Sequence, residues 1–136
     1  MSQQIYYTNL DEPFTVVMDR DENNFFTIKA YSLPLELEIF MGSVRFRVFD
    51  DVCQILNLES QEFFRGQAVG HTLLCLTEGV ASALGARFVE AEVNPIGVSQ
   101  RYLNIFFRKH GYEADETQAH KVRKDFTKSP VSTLFR

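Results

Sequence analysis

Ile55-Leu56-Asn57-Leu58-Glu59-Ser60-Gln61-Glu62-Phe63-Phe64-Arg65-Gly66-Gln67-Ala68-Val69-Gly70-His71 passes from an apolar strand, through a polar segment, into a glycine-bearing turn that opens a helix. The first N–H groups of a helix lack intrahelical acceptors and carry partial positive charge, so such a turn suits a phosphate or pyrophosphate. Gly66 and Gly70 have no Cβ and allow close approach to the backbone, and Arg65 can add a charge-assisted contact. The same pattern is also compatible with a plain tight entry to a helix. Two other phosphate motifs are excluded, since the chain has no G-x-x-x-x-G-K-[ST] and no G-x-G-x-x-G. The repeated strand–helix–strand order of a dinucleotide fold is also missing.

Upstream of this stretch the sequence reads as strands. Phe14 to Met18 stops at a polar turn, Phe25 to Tyr31 follows, and Leu35 to Phe40 and Val44 to Phe49 each alternate with period two. Gly42 between them is either a hairpin turn or a bulge in one long strand. Cys53 to Leu58 is the next strand. Downstream, Val69, Leu73, Leu76, Val80 and Leu84 recur at helical spacing, and Gly85 fits the residue just past a helix end. Arg87 to Val93 reads as a strand. Ser99 caps a second helix that closes at Arg108-Lys109-His110 before Gly111. Gly111 to Glu116 and Lys121 to Phe126 read as two short terminal strands. The order predicts one domain over residues 1–136, an α/β (α+β) fold with a mixed sheet and helices on its faces.

Composition bounds the function. With 136 residues, 45% hydrophobic and 24% charged, the chain is an ordinary globular mix able to bury a core. A net charge of −4 argues against a nucleic-acid partner. The charge is uneven: residues 1–62 hold 4 basic and 11 acidic side chains, and residues 100–136 hold 8 and 4. This is either chance variation or a basic side for an anionic cofactor with an acidic side for a cationic acceptor. Cys53 and Cys75 sit in apolar runs without metal spacing and read as buried thiols, so no metal is expected, and a reducing, cytoplasmic setting follows. No signal peptide and no apolar run long enough to span a bilayer is seen, so no membrane partner is expected.

The sequence resembles the GNAT N-acetyltransferase superfamily. Its cofactor motif, Arg/Gln-x-x-Gly-x-Gly/Ala between the fourth strand and third helix, matches Arg65-Gly66-Gln67-Ala68-Val69-Gly70, with Ala68 in place of the first motif glycine. Arg87 to Val93 looks like the family's fifth strand. Phe106-Phe107-Arg108-Lys109-His110-Gly111-Tyr112 looks like the end of its fourth helix. The resemblance covers roughly residues 52–126. It implies a mostly antiparallel mixed sheet, with the usual first two helices lacking or shortened.

The resemblance also implies acetyl-CoA as acyl donor and direct attack by a small amine or a protein amine. The pantetheine arm would bond backbone near Leu58 and Ser60, and the amides of Gln67, Ala68, Val69, Gly70 and His71 would hold the pyrophosphate. Glu59 is the preferred general base, with Glu90 and Glu92 as other strand carboxylates. His71 reads as a phosphate-side contact or a polar cap, and His110 and His120 as surface residues. Three departures stand out: Phe107 at the position of the family's thiolate-side tyrosine, Gln100 where an asparagine is usual, and Leu103 where a small residue is usual. The acceptor wall is expected either from a short turn at residues 8–13 or from a second chain in a homodimer.

Overall fold

The computed structural model describes residues 4–33, 39–60, 68–92, 100–114 and 120–132. Eight strands form one sheet: β1 (Ile5–Tyr7), β2 (Pro13–Arg20), β3 (Phe25–Ser32), β4 (Ile39–Phe49), β5 (Val52–Ser60), β6 (Phe88–Glu92), β7 (Glu113–Ala114) and β8 (Lys121–Asp125). Two helices are inserted after β5 and β6, α1 (Val69–Ala83) and α2 (Gln100–Lys109). The strand order is β1-β2-β3-β4-β5-β6-β8-β7. Every pairing is antiparallel except β5 with β6. The mostly antiparallel sheet, and the absence of a helix before α1 among the described residues, agree with the sequence-based expectation.

Register explains the core. Phe26 faces Phe46 across β3 and β4, with stacked rings 5.2 Å apart, and Ile28 faces Val44. These residues share one face of the sheet with Phe14, Cys53, Ile55 and Val89, and all are buried. α1 lies across β3, β4 and β5 on that face. Its buried side is Val69, Leu73, Leu74, Thr77, Glu78 and Ala81. This differs from the stripe expected from spacing, because Leu84 is exposed and Leu76 and Val80 are only half-buried. The helix is rotated so that a carboxylate enters the core.

Gly42 lies within one continuous strand, which decides between the two readings of that region. β4 slips register between Ala30 and Tyr31 of β3, so Met41 is the extra residue of a bulge. Residues 35–38 of the strand expected over Leu35 to Phe40 lie outside the described residues. β1 was not expected at all. Residues 8–12 between β1 and β2 form one short turn closed on Thr8, whose Oγ1 accepts from the N–H groups of Leu10 and Glu12. β2 and β3 are joined by the tight turn at Asp21–Asn24, where Asp21 accepts from the N–H groups of Asn23 and Phe25.

The buried carboxylate of Glu78 is fully partnered. Lys124 Nζ on β8 donates to Oε1 at 2.8 Å, Tyr112 donates its hydroxyl to Oε2 at 2.8 Å, and the Ser132 N–H donates to Oε1 at 2.8 Å. Lys124 Nζ also donates to Ser132 Oγ at 3.0 Å. Glu78 is 0% exposed and Lys124 2%. Removing one partner from such a pair leaves an uncompensated buried charge, at a cost of about 3–5 kcal/mol, whereas removing both with well-packed apolar residues is often neutral. Lys124→Met is therefore expected to lower unfolding free energy in urea by about 3–5 kcal/mol, and Glu78→Leu combined with Lys124→Met to recover most of that loss. A single variant as stable as the wild type would show that the pair is not desolvated.

Candidate functional site

β5 and β6 run side by side over Val52–Ile55 and Phe88–Ala91, and among the described residues they do not pair beyond that point. The parting coincides with a second bulge. β5 slips against β4 between Arg45 and Phe46, leaving Leu56 as the extra residue. A bulge bends its strand and adds twist. From Asn57 to Ser60 β5 keeps its pairing with β4, and among the described residues no strand pairs with its other edge at Leu58 and Ser60.

The bulge also sets which way Glu59 points. Leu58 is opposite the buried Val44, on the core face, and Glu59 is opposite Ser43, on the face away from α1. Glu59 is exposed, and its Oε1 accepts a hydrogen bond from Ser43 Oγ at 3.1 Å. Glu90, also on that face, is committed to Lys121 at 3.1 Å and Arg123 at 3.5 Å. Glu59 thus differs from Glu90 in having a neutral hydroxyl partner. Glu92 is exposed at the end of β6.

The chain re-enters the described region at Ala68, which sits immediately before α1 with φ 69° and ψ 10°. A left-handed backbone costs a residue with a Cβ about 1–2 kcal/mol. This is a physical reason for a glycine at that position, and Ala68 carries the strain. Among the described residues no side chain caps the helix start, and no acid lies in its first turn. Thr72 is the residue whose N–H first bonds back, to the Ala68 carbonyl at 3.0 Å. Among the described residues neither a carboxylate nor a hydroxyl competes for the N–H dipoles of this helix start, an arrangement that suits a phosphate.

Gly70 faces the second helix: a Cβ there would stand 3.5 Å from the Phe106 ring of α2, an ordinary van der Waals contact. The adjacent residue makes a second contact. His71 Nδ1 lies 2.7 Å from His110 Nε2, and His110 Nδ1 lies 2.8 Å from the Phe106 carbonyl. His110 is half-buried and bonded, which corrects its reading as a surface residue; the signal available was only its place one residue past a helix end. A carbonyl accepts, so His110 Nδ1 carries hydrogen, its Nε2 is the acceptor, and His71 Nδ1 donates. Cys75 Sγ lies 3.6 Å from His71 Nε2.

Phe107 is 3% exposed and packs edge-on against Phe106 and Tyr112 within the core. Arg65, Gly66 and Gln67 lie outside the described residues, as do the side chains of Ser60 and Gln100 and the helix cap expected at Ser99. Cys53 and Cys75 are both buried free thiols. Burial, reinforced by the Glu78 carboxylate, pushes Cys53 up to about 12 and Cys75 to about 11, so neither is a nucleophile near neutral pH. No helix among the described residues is long and apolar enough to cross a membrane.

No family model matches the sequence, and no curated protein matches it significantly. Solved structures do match by fold. The PaiA N-acetyltransferase from Thermoplasma acidophilum in complex with coenzyme A superimposes with a TM-score of 0.62 at 16% identity, over 74% of this chain and 60% of that one. The cAMP-binding acyltransferase from Mycobacterium smegmatis gives 0.75 at 11% identity, over 99% of this chain and 50% of that one. The KacTA–DNA complex gives 0.60 at 12%, over 79% and 72%. The chain thus has the GNAT fold, and it spans about three fifths and one half of the two acyltransferases named.

Two predictions follow from the strained turn and the raised thiols. Ala68→Gly removes left-handed strain of about 1–2 kcal/mol against a backbone-entropy cost of about 0.5–1 kcal/mol; the urea midpoint should rise, and a fall would mean that Ala68 is not left-handed in solution. The thiols have raised pKa values in the fold, so their contribution to stability is complete below the ordinary thiol value of 9.0 and is lost as pH rises towards 11 and 12. Melting temperature should therefore fall across that window. A Cys53→Ala, Cys75→Ala double variant should show a shallower slope there, and an unchanged slope would refute the assignment.

Proposed function

We propose that this chain is an acyl-CoA-dependent N-acyltransferase that moves an acetyl group from acetyl-CoA to a small amine or a protein amine. The observation that carries the reading is the uncapped start of α1, opened by a left-handed Ala68, following the strand that parts from β6. The Val69, Gly70 and His71 amides, with Gln67 and Ala68 before them, would hold the pyrophosphate, and Arg65 and Gly66 complete the same sequence motif. Leu58 and Ser60 would bond the pantetheine arm through their backbone where β5 leaves β6. The fold likeness to an N-acetyltransferase solved with coenzyme A supports this ligand.

The chemistry needs one proton acceptor. The acceptor nitrogen attacks the thioester carbon, the carbon–sulfur bond breaks, and the amine proton passes to a base. Glu59 suits that role because it is exposed at the end of β5 and bonded only to a neutral hydroxyl among the described contacts. Phe107 supplies no proton to the departing sulfur, and thiolate is a fair leaving group without one. Gln100 is the first residue of α2.

A second reading is a CoA-binding or interaction module of the same fold with little catalysis. It is favoured by Phe107, which has no hydroxyl and whose ring is occupied in core packing. A broad amine screen that follows thiol release separates the two readings, since only the first gives turnover.

Ala68→Asp tests the cofactor assignment. Aspartate tolerates the left-handed region better than alanine and is favoured at a helix start, so the fold should hold. Its carboxylate would stand where the pyrophosphate is assigned. Calorimetry should show CoA affinity falling at least about tenfold, a loss of about 1.4 kcal/mol, with an unchanged melting temperature. Equal affinity in wild type and variant would sink the assignment.

A further inference from the structure

We propose that the acceptor is an amine whose own molecule also carries a carboxylate or a phosphate, and that Lys29 selects it by binding that anion. The proposal deepens the acyl-transfer reading and rests on it. It starts from the direction of Glu59. The carboxylate assigned the amine proton lies on the sheet face away from α1, so the acceptor nitrogen has to arrive over that face.

Register determines what the acceptor meets there. Val17, Lys29, Ser43 and Glu59 form one row across β2, β3, β4 and β5, each opposite the next. Val17, Lys29 and Glu59 are exposed and Ser43 is half-buried, so this row is open to solvent. A neighbouring row on the same face runs through Ile5, Thr15, Tyr31 and Phe40, with the Tyr31 and Phe40 rings edge to face at 6.0 Å. The row on the other side is polar, through Asp19, Thr27, Arg45 and Asn57. A molecule lying from Glu59 over Ser43 to Lys29 therefore has an aromatic border along one side.

Charge singles out Lys29. Residues 1–62 hold four basic side chains, Arg20, Lys29, Arg45 and Arg47. Arg20 donates to Asn24 and lies over the Phe26 ring, and Arg45 pairs with Asp21 at 3.4 Å. Arg47 donates to Gln54 at 2.9 Å and lies over the Phe25 and Phe49 rings. No ion pair among the described residues includes Lys29, although Asp19 stands diagonal to it on β2. Glu59 leans towards it only as far as the Ser43 hydroxyl. Two strand spacings, about 9–10 Å, separate the Lys29 and Glu59 backbones. An amine at Glu59 that carries an anion several bonds away brings that anion to the Lys29 ammonium, so each charge finds a partner. A plain alkylamine leaves Lys29 without one, and a diamine meets repulsion.

Initial rates of thiol release from acetyl-CoA compare acceptors of matched length: δ-aminovalerate, pentylamine and cadaverine, with phosphoethanolamine as the phosphate-bearing amine. At least one of the two anionic amines should exceed pentylamine in kcat/KM by about three- to fivefold, the range of an exposed ion pair. The difference should lie in KM and shrink as salt rises. Whichever of the two is preferred identifies the anion as carboxylate or phosphate. Lys29→Met should abolish the preference, and Lys29→Glu should reverse it in favour of cadaverine. Because Lys29 is exposed, both variants should keep the wild-type melting temperature. A wild type that uses pentylamine as well as it uses either anionic amine, or a Lys29→Met protein that keeps the preference, overturns the specificity alone. Absence of transfer to any amine, in the broad screen as well, overturns the acyl-transfer reading and the specificity with it.

Discussion

The parallel pairing of β5 with β6 is the constraint on which the rest of the molecule turns. Antiparallel neighbours can be joined by a tight turn, but parallel neighbours require the chain to return the length of the sheet, and a helix is the usual way to do it. α1 is that return. Its start must therefore lie near the end of β5, on the same side as the point where β5 and β6 separate. A helix start without a side-chain cap among the described residues, the length of β5 beyond its pairing with β6 and the exposed Glu59 on that strand follow one another in the chain because of one topological requirement. The bulge at Leu56 completes the arrangement by ending the parallel ladder and turning Leu58 to the core and Glu59 to the other face.

Glu78 holds this arrangement in place. Through Lys124, Tyr112 and Ser132 a single carboxylate ties the middle of α1 to β8, to the segment after α2 and to the residues after β8. Such pairs contribute less net stability than their short distances suggest, because desolvating both ions offsets most of their attraction. What they do impose is a unique rotation of α1, since no other orientation lets the carboxylate meet three donors. That rotation places Gly70 against Phe106 and His71 against His110. The same burial raises Tyr112 well above its ordinary value of 10.0, chiefly by desolvation and then by the facing carboxylate, so its hydroxyl remains a donor throughout the neutral range.

Much of the fold was legible because it depends on local signals. The change from period two to helical spacing at Gly70, the glycines at 85 and 111, and the cations closing α2 each mark a boundary by a short-range mechanism, and both glycines indeed have a φ of 89°. The strained turn at Ala68 was legible as a motif position, though the sequence could not show that alanine adopts the glycine conformation there. What was hidden depends on contacts distant in sequence. Glu78 and Lys124 are 46 residues apart and look like ordinary surface charges. His71 and His110 are 39 apart. Met41 as a bulge and β1 as a strand depend on the partner strand, since three residues of Ile-Tyr-Tyr carry too little pattern to register alone. The choice of α1 face failed because the apolar stripe was counted without a buried carboxylate among its members.

The central claim is that the start of α1 is an anion site for CoA, and backbone amide NMR tests it most directly. On titration with CoA, the account predicts that the largest N–H shifts fall at Val69, Gly70 and His71, with a second group at Leu58 and Ser60 on β5, and that adenosine without its phosphates leaves the first group unmoved. Shifts centred elsewhere on the sheet, or an α1 start that stays silent while CoA binds, would contradict it.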